Sequence, residues 1–333
     1  MVAQIDKLYI ETSYRKVITR LLSYIFFEGR PITTKGQWLN PLILQFFKLQ
    51  KKLPQLKAVN KPVFIIGVGR SGTTILGNLL SMHHDVGFLN EPKALWHAIY
   101  PEEDLVGTYA RGPAKYRLTS KDVSEKNIDD AHKLFGAYLA ITGTHRVVDK
   151  YPELIFRVPF VKSLFPDAKF IFLVRNGWDT CQSIEGWWSK KERVSKKTER
   201  HDWWGVDNRK WNLLLEQIIS TDQSLMHLIT KRQELENPLD MAILEWILAM
   251  KEGINLMNTF PHSVYKLHYE DLITSPNTSL QSLLDFCELP PSTRLLNYAS
   301  QKLCSSPPRN KINISPSIAS HFQETMQALG YLP

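Results

Sequence analysis

Residues 67–74 read GVGRSGTT. Gly67 and Gly72 are separated by four residues, the spacing of the phosphate-gripping pattern G-x-x-x-x-G-K-[ST], and Thr74 takes its final hydroxyl position. Thr73 stands where that pattern has the lysine that reaches the β- and γ-phosphates. The stretch Arg70, Ser71, Gly72, Thr73, Thr74 offers consecutive backbone N–H groups at a helix start, with a permanent charge on Arg70. It predicts an anion site that has no lysine for a third phosphate. The competing reading is a glycine turn kept only for tight packing. A second pair, Arg175 and Ser183, lies in "RNGWDTCQS". With the arginine at a strand end and the serine about two turns into the next helix, a guanidinium fork and a hydroxyl approach one phosphate. An arginine so placed also serves as a rim salt bridge.

These residues need a frame. "PVFIIG" (62–67) reads as a buried parallel strand, followed by a helix over 72–84 and a strand "DVGFLNE" (85–91). "HRVVDK" (145–150), "DAKFIFLVR" (167–175) and "HSVYKLHYEDL" (262–272) give three more strands. The stretch 92–145 is helical or irregular, 207–260 is a helical insert, and a helix follows over 277–287. The alternation predicts an α/β fold, a P-loop-type doubly wound parallel sheet flanked by helices. Ligands of such sheets bind outside the carboxyl ends of the strands, where Arg70, Glu91, Lys150, Arg175, Tyr269 and Glu270 would ring one crevice. Two helical patterns come first. In 14–27, Val17, Ile18, Leu21, Leu22 and Ile25 recur at helical spacing; in 41–53, Lys48, Lys51 and Lys52 follow an apolar stripe. The expected organisation is an N-terminal helical extension over 1–57, packing on a single α/β domain over 58–333. A basic amphipathic helix lying on a membrane surface is the alternative for that extension.

The 333 residues are 43% hydrophobic and 22% charged, ordinary for a globular chain that buries a core. The net charge of +8 favours anionic partners without choosing among nucleic acid, membrane, glycan and a charged cofactor. Three scattered cysteines, Cys181, Cys287 and Cys304, argue against a disulfide scaffold and a cysteine zinc site and suit a reducing compartment. The ten histidines show no metal-binding spacing, and His83-His84 reads as a helix end. "LLSYIFF" (21–27) is too short to span a bilayer and has no cleavage site after it, so a cytoplasmic protein is expected, with peripheral membrane contact open. Six of nine tryptophans fall between 178 and 211, interleaved with Lys190, Lys191, Arg193, Lys196, Lys197 and Arg200. They read equally as a saccharide-stacking surface and as packing around a solvated basic loop.

The order "GVGRSGTTIL", "LNEPKALW", "DKYPE", "LFPDAKFIFLVRNGWDTCQS" and "HYEDL" resembles the sulfotransferases that use 3′-phosphoadenosine 5′-phosphosulfate (PAPS), over residues 61–333. It is nearer to the carbohydrate and protein-tyrosine enzymes than to the cytosolic hormone enzymes. The resemblance implies that residues 70–74 hold the 5′-phosphosulfate and that Arg175 and Ser183 hold the 3′-phosphate. It places Tyr269 on the adenine side, although a core tyrosine fits there as well. Ser306, Arg309 and Lys311 would close over the cofactor, in a segment that departs from the family's usual pattern. Glu91 matches the general base and Lys150 the lysine that stabilises the leaving nucleotide, with Arg70 assisting. Their bland alternatives are a helix cap or pairing with Lys93 for Glu91, just before Pro92, and pairing with Asp149 or Glu153 for Lys150. The implied reaction is an in-line sulfuryl transfer to an acceptor hydroxyl of a glycan, lipid or small molecule, with PAPS as co-substrate, no metal and no nucleic acid. A nucleotide-type kinase is the second reading, against which stand the missing lysine and the arginine that ends "FIFLV" in place of an acid. A non-catalytic protein binding anions or a membrane is the third.

Overall fold

The computed structural model describes residues 3–191, 193–305 and 313–331. Among the described residues eight strands run in chain order: β1 (Val63–Gly67), β2 (Val86–Asn90), β3 (Arg146–Lys150), β4 (Lys169–Val174), β5 (Arg193–Val194), β6 (Glu199–His201), β7 (Gly205–Val206) and β8 (Val264–His268). Five form a parallel sheet in the order β2-β3-β1-β4-β8, and the other three form a small antiparallel sheet. The expected doubly wound α/β arrangement is therefore present, with β1 in the middle. In-register pairs such as Asn90 with Lys150 and Val174 with His268 bring the carboxyl ends of neighbouring strands to one edge.

Both faces of the sheet are covered, which explains why its strands are apolar throughout rather than alternating. Phe64, Ile66, Phe170 and Phe172 enter one core with the long helices Glu125–Thr142 and Pro238–Thr259. Val63, Ile65, Ile171 and Leu173 enter a second with the helices Thr73–Ser81 and Pro276–Phe286. Among the described residues no helix is long and apolar enough to cross a membrane.

Three details depart from the sequence reading. The last strand stops at His268, and Tyr269 and Glu270 open the helix Tyr269–Thr274 instead of closing the strand. Glu270 and Asp271 in its first turn favour a helix N-terminus, which outweighs the strand pattern before them. The basic run around 190–200 carries β5 and β6, whose polar sequence gave no apolar alternation to read.

The third departure concerns the N-terminal segment, which holds the helices Lys7–Thr12, Tyr14–Phe26 and Asn40–Gln50. Phe27, Ile43 and Phe47 join the main core. The Tyr14–Phe26 helix, however, turns its polar side inward: Lys16, Thr19, Arg20 and Ser23 are buried with Val17, while Ile18 and Ile25 are exposed. The inward residues are bonded. Lys16 Nζ donates to Val86 O at 2.7 Å, Ser23 shares a hydrogen bond with Tyr138 Oη at 3.0 Å, and Arg20 Nη2 meets Glu28 Oε2 at 2.8 Å. Periodicity gives a stripe but not the direction in which it faces.

Candidate active site

The loop after β1 is built by backbone constraints. At Gly67, φ is +139°, and a Cβ would come within 2.7 Å of Leu173 O on β4. Gly72 has φ +95°, and a Cβ there would collide with the Tyr269 ring. Arg70 itself adopts a left-handed φ of 70°. A Cβ on Gly69 would approach the Trp203 indole to 2.6 Å, so the loop is gripped between two aromatic rings. The helix Thr73–Ser81 starts at once, with Gly72 as its N-cap and no side-chain cap bond. Helix N-terminal N–H groups lacking such a cap are ready donors to an anion. Ser71 Oγ is buried with no hydrogen-bond partner, a polar atom that a bound acceptor would satisfy.

The second motif closes on this loop. Arg70 Nε donates to Ser183 Oγ at 3.2 Å, and Arg175 Nη1 to Arg70 O at 3.4 Å. The Arg175 guanidinium lies 4.5 Å from the Tyr269 ring centroid and 3.7 Å from an Asp179 oxygen, and its Nε is buried without a partner. Ser183 sits in the helix Gly177–Lys191 that follows β4. Residues 113 apart in sequence thus form one cation-rich corner holding Arg70, Ser71, Gly72, Thr73, Thr74, Arg175, Ser183 and Tyr269. Lys311, with Ser306 and Arg309, lies outside the described residues. Glu270 turns away from this corner: it accepts from Asn176 N at 3.0 Å and from Tyr331 Oη at 2.7 Å.

Across a cavity of about 180 Å³, lined by Arg70, Thr74, Glu91, Lys93, Lys150 and Trp203 among others, stands the opposite wall. Lys150 Nζ is in contact with Glu91 Oε1, so its partner is neither Asp149 nor Glu153. Asp149 is buried and accepts from Trp96 Nε1 at 2.8 Å. Glu91 has a left-handed φ of 52°, and its N–H donates to Lys150 O at 2.7 Å. The carboxylate is about a third exposed to the cavity, while Lys150 is buried. Lys93 Nζ comes to 4.0 Å of Glu91 and 3.5 Å of Glu153. Lys210 Nζ continues the chain at 3.3 Å from Glu153 and 2.5 Å from Glu245, which accepts from Trp203 Nε1 at 2.6 Å.

The wall is therefore a belt of three ammonium groups alternating with three carboxylates. Burial pushes the Glu91 carboxyl up, but the charges of Lys150 and Lys93 prevail and hold it below the ordinary carboxylate range. Glu153 is driven down in the same way by Lys93 and Lys210. Glu91 is ionised across the neutral range and able to accept a proton.

Lys93 and Glu153 stood in the sequence only as partners that would make Glu91 or Lys150 uninteresting, whereas here they extend the same network. Lys210 and Glu245 carried no local signal, because two separate helices contribute them. The tryptophans divide. Trp187 and Trp203 line the cavity, whereas Trp178 packs on Phe322, and Trp188, Trp204 and Trp211 meet edge to face. Lys190, Arg193, Lys196, Lys197 and Arg200 are exposed. A second cavity of about 210 Å³ adjoins the first, shares Pro31, Glu91 and Lys93 with it, and takes Tyr24 and Arg30 from the N-terminal segment. Among the described residues one group could gather around a metal, His83 with His84 and Asp85, but it lies at the amino end of β2, away from this edge. Both His83 ring nitrogens are engaged, with Pro290 O and Asp85 N.

A family model described as "Sulfotransferase family" matches residues 62–218. Nodulation protein NoeE of Sinorhizobium fredii is 31% identical over 134 residues, 38% of this chain and 31% of that protein. A protein-tyrosine sulfotransferase of Drosophila melanogaster is 26% identical over 287 residues, 78% of this chain and 52% of that protein. The chain thus spans about half, or less, of the length of these curated relatives. A solved sulfotransferase from Mycobacterium avium aligns over 98% of this chain and 96% of its own, at 12% identity and a TM-score of 0.49. The matched segment carries the loop, Glu91, Lys150, Arg175 and Ser183, and over residues 62–218 the chain is similar to the sulfotransferase family.

Proposed function

We propose that this chain is an enzyme that moves a sulfuryl group from PAPS to an acceptor hydroxyl. The observation carrying the proposal is the convergence of two separate anion-holding motifs, with Arg70 Nε 3.2 Å from Ser183 Oγ and Arg175 Nη1 3.4 Å from Arg70 O. PAPS offers two anionic groups, the 5′-phosphosulfate and the 3′-phosphate. In this reading the backbone and hydroxyls of residues 71–74 with Arg70 hold the first, and Arg175 with Ser183 holds the second. The unpartnered Ser71 Oγ and Arg175 Nε suit these roles. Tyr269, already stacked on Arg175, walls the nucleotide.

On the other wall Glu91 takes the proton of the acceptor hydroxyl as its oxygen bonds to sulfur and the bond to the nucleotide breaks. Lys150, held beside Glu91, turns its ammonium to the oxygen that leaves. PAPS supplies the activated sulfuryl group; the protein supplies positioning and charge. Guanidinium and ammonium groups provide that charge in this reading without a metal. We further read the N-terminal helices and the α/β domain as one working unit, since Pro31 lines the cavity with Glu91.

Calorimetry with adenosine 3′,5′-bisphosphate in the presence of EDTA tests the reading. Binding is expected, and folded protein that fails to bind overturns it. Magnesium-dependent ATP turnover without bisphosphate binding would instead establish a kinase. Labelled PAPS offered with panels of saccharide, lipid and small-molecule hydroxyls identifies the acceptor.

A further inference from the structure

The N-terminal segment carries an apolar surface that the fold leaves uncovered. On the Tyr14–Phe26 helix, Tyr14, Ile18 and Ile25 fall on one stripe at spacings of four and seven, and all are exposed, Tyr14 by 72%. On the Asn40–Gln50 helix, Leu42 and Leu49 repeat the pattern at 61% and 62% exposure, and Leu53 extends it. The two helices meet where the Phe26 and Phe46 rings, each flanking its stripe, stand 6.0 Å apart. Trp38, just before the second helix, is 72% exposed. Scattered exposed apolar residues are normal, but two aligned stripes joined by aromatic contact form a patch.

The Tyr14–Phe26 helix makes the case sharper. Its docking on the domain uses Lys16 and Ser23 together with Val17 and Leu21, and Tyr14, Ile18 and Ile25 take no part in it. With its inward polar groups already bonded, the helix leaves the apolar area of Ile18 and Ile25 in water, an area that a covering surface would bury favourably.

The charge distribution selects the cover. Residues 1–57 contain ten Lys and Arg against three Asp and Glu, a net of +7 in a chain whose whole charge is +8. Lys48 and Lys52 are exposed on the flank of the Leu42–Leu49–Leu53 stripe, and Lys35 is exposed near Trp38. An apolar stripe rimmed by lysines, with a tryptophan and a tyrosine as its most exposed members, has the chemistry of an interfacial helix on anionic lipid. A second copy of the chain would bring like charge against like charge.

We propose that this face binds the surface of an anionic membrane, with the two helices lying in the interface. The test is flotation of the full chain with vesicles of phosphatidylcholine alone and of phosphatidylcholine with about 30% phosphatidylserine, at low and high salt. Binding is expected only to the anionic vesicles, weakening as salt rises. The double variant Leu42→Ser, Leu49→Ser, and separately Trp38→Ser, should lower partitioning by roughly tenfold or more with unchanged circular dichroism. Lys48→Glu with Lys52→Glu should do the same while leaving the apolar stripe intact. No binding to the anionic vesicles at low salt overturns the proposal, as does equal binding by the serine variants. A stable dimer in sedimentation that the serine variants dissociate, without vesicle binding, assigns the face to a second copy instead. None of these outcomes depends on the chain's being a sulfotransferase.

Discussion

The two walls of the cavity hold their charges in opposite ways. On the Glu91 wall every ammonium group of the belt has a carboxylate within 4.0 Å, and three cations meet three anions. On the loop wall the Arg175 guanidinium donates to the Arg70 backbone oxygen and reaches Asp179 at 3.7 Å, and Ser71 Oγ and Arg175 Nε are left without partners. A wall that is balanced internally suits a neutral group such as a hydroxyl. A wall with excess donors is completed by an anion. In the proposed reaction this difference would set an acceptor side against a nucleotide side, and each of the following experiments presses on one wall.

The largest effect is expected from Glu91→Gln, which keeps the shape and removes the proposed base. Turnover should fall by about 10²–10⁴-fold while bisphosphate affinity stays within a small factor. Full activity in that variant would strip the balanced wall of its catalytic role. Lys210→Met leaves Glu153 and Glu245 facing each other in a buried site, and should cost about 3–5 kcal/mol in denaturant unfolding. A loss no larger than a surface substitution would show that the belt is not held by mutual charge. Arg175→Ala belongs to the other wall. It should weaken bisphosphate binding roughly 10- to 100-fold in calorimetry, with stability little changed.

The pH dependence is smaller and has a definite sign. Glu91 is depressed in the folded state, so its ionised form adds stability above the unfolded carboxylate pKa, and this is lost as pH falls through the folded value. The acid limb of turnover should accordingly lie below about 4.3, the ordinary glutamate range. An acid limb near neutrality in the pH–rate profile would mean that Lys150 does not hold the base ionised.

Much of this was legible in the sequence where the cause is local. Gly67, Gly72 and the helix that follows them form a turn whose chemistry is written in consecutive residues, and β1 and β4 are apolar runs bounded by turns. Arg175 and Ser183 were readable for the same reason, one at a strand end and one on the next helix. The belt was half readable. Glu91 and Lys150 end neighbouring strands, but their direct pairing depends on β2 lying beside β3, which no single segment encodes. Lys210 and Glu245 reach the cavity only through tertiary packing. The inward-facing polar side of the Tyr14–Phe26 helix was hidden for another reason: its buried groups are satisfied by backbone oxygens and side chains far along the chain.

The grip of Trp203 and Tyr269 on the phosphate loop has a kinetic consequence. A loop already held by rings over Gly69 and Gly72 has no ordering left to do when the nucleotide arrives. Such a site takes its ligand at a rate set by encounter and charge steering, and differences in affinity appear in how slowly the ligand leaves. Trp203→Ala should therefore slow association by a few-fold in stopped-flow traces, the mildest effect expected of any change proposed here. In the proposed cycle, which releases a bisphosphate product before the next turn, the same rigid loop that speeds entry would make departure the slow event.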